Sequence, residues 1–98
     1  MNRQFPSMLN DLTKEEEQFL IKFGEHIRRL RKEKEMTQAD LVFEAKVHGD
    51  MIGRIERGER ASNILQLHKI AKALDVSIPQ LFDFRAFRAT QLQFKKRL

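Results

Sequence analysis

Residues 37 to 58, TQADLVFEAKVHGDMIGRIERG, constrain this chain more tightly than any other stretch. Thr37 suits a helix N-cap, because its hydroxyl can accept a hydrogen bond from a free backbone N–H of the first turn. Leu41, Val42 and Ala45 then share one helical face. The pattern breaks at Lys46 to His48, with Val47 as an apolar plug. Gly49 is expected to open a second helix that runs to Arg57, with Ile52 and Ile55 three residues apart on its apolar side. Gly58 stops it, since glycine tolerates the left-handed backbone that ends helices. Two short helices around a tight turn, with an apolar residue inside the turn, make the helix-turn-helix pattern, whose second helix fits the DNA major groove.

The flanks complete a bundle. Residues 1 to 12 read as a loose arm in which Pro6, Ser7, Asn10 and Asp11 break any period, while Phe5, Met8 and Leu9 can tuck onto the surface. Thr13 with Glu16 forms a capping box, and Glu15 to Glu17 suit the positive end of a helix dipole. That helix should run to about Lys34, with Phe19, Phe23, Ile27 and Leu30 as its apolar stripe and His26, Arg28, Arg29, Arg31, Lys32 and Lys34 filling the remainder. Asn63 with Gln66 caps a fourth helix bearing Ile64, Leu67, Ile70, Ala71 and Leu74. Ser77 with Gln80 caps a fifth, with Pro79 near its start and Leu81 and Phe82 facing inward. The expected fold is all-α, a compact five-helix domain over residues 13 to 82 with a C-terminal extension at 83 to 98. In that extension a helix and a short strand at TQLQF are both compatible with the pattern.

Composition bounds the partners. Net charge is +5 and the pI about 9.9, which suits a polyanion. There is no cysteine, hence no disulfide, thiolate metal site or cysteine nucleophile, and a reducing cytoplasm is the expected location. No apolar run approaches the ~20 residues that span a bilayer, so no membrane partner is expected. His26, His48 and His68 lack close metal-ligand spacing. No nucleophile–base constellation and no glycine-rich phosphate loop after a strand is visible, so the expectation is a non-enzyme with no cofactor and no small-molecule ligand.

The segments FGEHIRRLRKEKEMTQADL, VHGDMIGRIERGER and LQLHKIAKALDVSIPQLF resemble the phage-repressor-like (Cro/cI-type, Xre) helix-turn-helix family over roughly residues 22 to 82. The resemblance implies a lambda-repressor-like DNA-binding domain. It implies that Gln38 bonds a DNA phosphate and braces the recognition helix, with Thr37 also at the DNA, while His48 stands where the family usually has a capping serine or threonine and can either cap there or reach a phosphate. It places Gly49, Asp50, Gly53 and Arg54 at groove-facing positions, and Arg57 and Arg60 where the following loop meets the DNA backbone. It also implies an internal ion pair between Arg31 and Glu56.

The chain departs from that family pattern in four places. Glu35 and Lys46 stand where the family often has glycine, at turns that need a left-handed backbone, costing about 1 kcal/mol or more each. The recognition helix is poor in base readers: Gly49 and Gly53 offer no side chain, leaving Arg54 for guanine and Asp50 for cytosine. Residues 37 to 60 carry four basic against five acidic side chains, so the positive excess lies elsewhere. Phe43 occupies a helix position that should point outward.

The expected function is a sequence-specific transcriptional regulator, a repressor by default, acting as a homodimer on a palindromic double-stranded operator. Phe84, Phe87, Leu92 and Phe94 exceed what five helices can absorb and are expected to form the dimer contact, the alternative being that the segment folds back onto its own domain, over Phe43. The alternative is a protein-interaction module that keeps the fold without reading bases.

Overall fold

The computed structural model describes residues 11 to 84. Within them the chain forms α1 (Lys14–Glu33), α2 (Gln38–Ala45), α3 (Met51–Glu56), α4 (Ile64–Leu74) and α5 (Ile78–Leu81), and the described residues contain no strand. Four helix starts are built alike. Thr13, Thr37, Asn63 and Ser77 each accept from the backbone N–H three residues on, while Glu16, Asp40, Gln66 and Gln80 reach back to the cap's own N–H. Each reciprocal pair satisfies two donors that a helix start otherwise leaves free.

The helix ends also share a device. Glu35, Lys46 and Asp75 adopt φ of 57°, 58° and 58°, and Gly58 adopts 75°. In each case the next residue donates its N–H five residues back: Met36 to Arg31, Val47 to Val42, Val76 to Ala71 and Glu59 to Arg54. The left-handed residue thus closes the helix, and at three of the four ends an apolar residue (Met36, Val47 or Val76) then packs against the core. The sequence-based expectation of left-handed turns at Glu35 and Lys46 matches; Asp75 adds a third that was not foreseen.

The core is one cluster of Phe23, Ile27, Leu41, Ala45, Met51, Ile52, Ile55, Ile70, Ala71, Leu74, Leu81 and Phe84. Fully burying side chains of this size contributes about 1.5–3 kcal/mol each against the entropy of ordering the chain. Gly24 sets the depth of the central contact. A Cβ there would lie 2.2 Å from the Ile55 carbonyl oxygen and 2.7 Å from that of Glu56, so α1 and α3 meet backbone to backbone. His26 is buried as well, rather than lying on the polar face of α1. Its Nε2 stands 2.9 Å from the Gln80 carbonyl and its Nδ1 pairs with Arg29, tying α1 to α5.

Two expectations about phenylalanines are corrected. Phe84, assigned from sequence to the dimer contact, is 4% exposed and packs its ring on Phe19, Phe23 and His26. The domain therefore absorbs it and extends past residue 82. Phe82, expected inside, stacks on Phe23 but stays partly exposed. Phe87, Leu92 and Phe94 lie outside the described residues.

Candidate nucleic-acid interface

The helix-turn-helix unit is α2, the turn from Lys46 to Asp50, and α3. The turn is longer than the sequence suggests: α3 begins at Met51, not Gly49, and ends at Glu56. Asp50 is its N-cap but makes no side-chain cap bond; its carboxylate lies 3.9 Å from the Arg54 guanidinium instead. The Met51 N–H is satisfied by the His48 carbonyl. Gly49 therefore belongs to the turn, where a Cβ would meet nothing within 4 Å.

The frame behind this face is a polar network centred on Glu56. Arg31 donates to its carboxylate through Nε at 2.6 Å and Nη2 at 3.0 Å, and through Nη1 to the Met36 carbonyl at 2.8 Å. Gln38 Nε2 donates to the same carboxylate at 3.0 Å. One buried carboxylate thereby joins α1, the α1–α2 loop, the first residue of α2 and the last of α3. The hydrogen bond to Glu56 holds the Arg31 guanidinium above its ordinary pKa, against the opposing effect of burial. The expected Arg31–Glu56 pair is present, and Gln38 braces α3 through it.

On the outer side, Thr37, Gln38, His48, Gly49, Asp50 and Arg57 are exposed and Arg54 is half-buried. Gly53 differs from its expected groove-facing role. It is buried, and a Cβ on it would lie 3.2 Å from both Gln38 Oε1 and Arg57 Nη1, so those two side chains cover it. Arg57 is clasped by Glu59, which raises its pKa through hydrogen bonding and charge, while Arg57 holds the Glu59 carboxyl below the usual carboxylate range. Arg60 also departs from expectation. It lines a cleft with Phe19, Leu20, Phe23 and Leu67, and its buried Nε has no hydrogen-bond partner among the described residues, nor has Ser62 Oγ.

Two features went unread in the sequence. Lys46, His48, Gln66 and Lys69 surround a shallow depression at the mouth of the turn, which brings Lys69 of α4 beside Lys46 of the turn. Gly24 is the second. A glycine in mid-helix beside Phe23 on the apolar face costs the helix ~1 kcal/mol relative to alanine, and that cost was the available signal of a close approach.

A capped α2, a turn plugged by Val47 and a braced α3 with cationic side chains outward define a DNA-binding helix-turn-helix regulator of transcription. The chain belongs to the helix-turn-helix family HTH_3, whose model matches residues 27–81. It is 41% identical over 63 residues to control protein C.BamHI of Bacillus amyloliquefaciens, spanning 63% of this chain and 78% of that one. The structure resembles the restriction-modification controller protein C.AhdI from Aeromonas hydrophila, with TM-score 0.63 and 36% identity over 64% of this chain and 96% of that one. It also resembles a mutant of the restriction-modification controller protein C.Esp1396I, with TM-score 0.65 and 33% identity over 74% of this chain and 91% of that one. No helix among the described residues is long and apolar enough to cross a membrane.

Proposed function

We propose that this chain controls the genes of a restriction-modification system by binding, as a homodimer, a palindromic operator, and that it represses by occupying the promoter. α3 enters the major groove with Arg54 at a guanine edge and with Gly49 and Asp50 at the groove mouth. Gln38, Thr37, His48 and Arg57 hold the DNA backbone, and the protein acts in the cytoplasm. The likeness to three controller proteins supports the role. The observation that carries the DNA geometry is the Glu56 network, because Gln38 and α3 are fixed relative to each other before any ligand arrives. Preorganised contacts lose less entropy on binding.

Selection of binding sites from a random DNA pool, followed by salt titration on selected and scrambled duplexes, tests the reading. A symmetric consensus bound selectively at physiological salt, weakening steeply as salt rises, is expected. One observation favours the rival interaction module: Phe43 on α2 is 78% exposed, on a unit whose residues 37 to 60 carry more acidic than basic groups. Absence of any selected consensus would favour it.

A further inference from the structure

The depression where the α2–α3 turn meets α4 is lined by Lys46, Val47, His48, Met51, Gln66 and Lys69, and no carboxylate among the described residues lines it. Lys46, His48 and Lys69 are exposed, Val47 and Gln66 half-buried and Met51 buried, so basic walls stand over an apolar floor. Gln66 spends its Oε1 on the Asn63 backbone, which leaves its amide N–H groups to donate. The cations nearby are placed differently. Arg54 lies 3.9 Å from Asp50, and Arg57 is held by Glu59. Among the described residues neither Lys46 nor Lys69 makes an ion pair. Lys46 also keeps its charge at φ 58°, a conformation that glycine enters without strain. A turn built for stability alone is better served by glycine, so the ammonium answers to something outside the fold's own packing.

We propose that this depression receives a phosphate of the DNA backbone, held by Lys46, Lys69 and the Gln66 amide beside His48. The inference rests on the operator-binding reading and adds α4 to its surface. His48 and Met51 bracket Gly49 and Asp50, the pair proposed for the groove mouth, so the depression flanks the segment that enters the groove. Phosphates run along both edges of a major groove ~12 Å wide, and a cation just outside the entering segment meets them. Chemistry selects the diester over a free ion. Exposed lysines hold a lone anion weakly. Duplex DNA presents one charge per ~1.7 Å of axis and releases counterions for each phosphate neutralised. Lys69 also offsets the acidic balance of residues 37 to 60, because it comes from outside that stretch.

Lys46→Gln and Lys69→Gln each remove one charge at an exposed site, and circular dichroism should show the helices intact. Fluorescence anisotropy on a selected and a scrambled duplex across a salt series reads the contact. The slope of log K against log salt should become shallower by about 1 in each variant and by about 2 in the double variant. Both duplexes should weaken by the same factor, because phosphate contacts carry no sequence information. Lys69→Arg keeps the charge and should keep the parent slope. Lys32→Gln removes the same charge from a surface of α1 lined by Glu25, Arg28, Arg29 and Glu33, and should also keep it. The parent slope in Lys46→Gln or in Lys69→Gln overturns the proposal and leaves the operator-binding reading standing. An equal loss in Lys32→Gln overturns it as well, since the slope then follows net charge alone. A wild-type chain that binds neither duplex ends both readings.

Discussion

Arg57 and Glu59, just beyond the end of α3, hold each other through two hydrogen bonds, Nε to one carboxylate oxygen at 3.0 Å and Nη2 to the other at 3.1 Å. The fork of the guanidinium is therefore occupied by the chain's own carboxylate before a phosphate can take it. Glu59→Gln should free Arg57 and remove one negative charge from the side proposed to face DNA. Non-specific affinity should rise, and the slope of log K against log salt should steepen by about 1. Fluorescence anisotropy with random duplex across a salt series measures this; an unchanged slope would sink the idea.

The same pair sets a pH expectation. Hydrogen bonding from Arg57 lowers the folded-state pKa of Glu59, so its contribution to stability is present above the unfolded carboxylate pKa. That contribution fades as pH falls through the lowered folded value. Both groups are solvent-exposed, so the effect on stability is small, and the sensitive measurement is the titration itself. Arg57→Ala should return the Glu59 carboxyl resonance upward toward the ordinary carboxylate range, as followed by NMR.

Glu35 and Lys46 carry side chains in a conformation that costs an L-residue roughly 1–2 kcal/mol. Glycine removes that cost but returns roughly 0.5–1 kcal/mol through the freedom of the unfolded chain. Lys46→Gly and Glu35→Gly should each stabilise by up to about 1 kcal/mol, worth roughly 4–8 °C in Tm for a domain of this size. Asp75→Gly should gain least, because aspartate enters this region more readily. A lower Tm for Lys46→Gly would show that its side chain contributes more than its backbone costs.

Breaking the Glu56 network should be far more damaging. Glu56→Gln keeps the shape but leaves the Arg31 guanidinium buried against a neutral amide, and removing one partner of a buried pair costs about 3–5 kcal/mol. Gln38→Ala leaves that pair intact and should cost about 1–2 kcal/mol, one bond to a charged group at a partly exposed site. Urea melts rank the two; equal losses would mean that Gln38 is as much a part of the fold as Arg31.

These contrasts explain what the sequence could and could not reveal. The starts of α1, α4 and α5 were legible because a capping box is written within four residues, and that of α2 through its Thr37 cap. α3 lacks one: Asp50 makes no cap bond, and the start was placed two residues early, at Gly49. His26 was misread because its partner is the carbonyl of Gln80, 54 residues away, and no local period encodes that distance. Phe84 was misassigned because periodicity does not measure how many rings a core can hold. Within the site, the Arg31–Glu56 pair followed from family resemblance. The covering of Gly53 and the turn of Arg60 into the cleft depend on side-chain directions that spacing leaves undetermined.

Base reading can be separated from positioning at two adjacent sites. Arg54→Ala should relax preference at one base pair per half-site by about 1–3 kcal/mol. Gly49→Ala should leave thermal stability unchanged or slightly higher, because its Cβ enters open space in the free protein. If the turn approaches the groove closely, Gly49→Ala should nevertheless weaken operator binding. Wild-type affinity and preference in both variants would remove α3 and its turn from the reading surface.

The last prediction concerns the proposed homodimer. Two recognition helices must lie about 34 Å apart to meet successive major grooves, so some surface has to fix that spacing. Phe84 is committed to the core and is not available for it. Ile64 and Leu65, adjacent at the start of α4, are 75% and 68% exposed, and they directly follow the loop that leaves α3. A pair of large apolar side chains this open is a patch that symmetric association can bury against its own copy. Being so exposed, they contribute little to the monomer, and Ile64→Glu with Leu65→Glu should leave helix content and core packing unchanged. The double variant is expected to sediment as a monomer where the parent sediments as a dimer. Its Tm should lose the dependence on protein concentration that a dissociating dimer shows. Operator affinity should drop steeply while binding to a single half-site is retained. A double variant that still sediments as a dimer would move the contact to residues 85 to 98, and truncation after Phe84 would then be the decisive comparison.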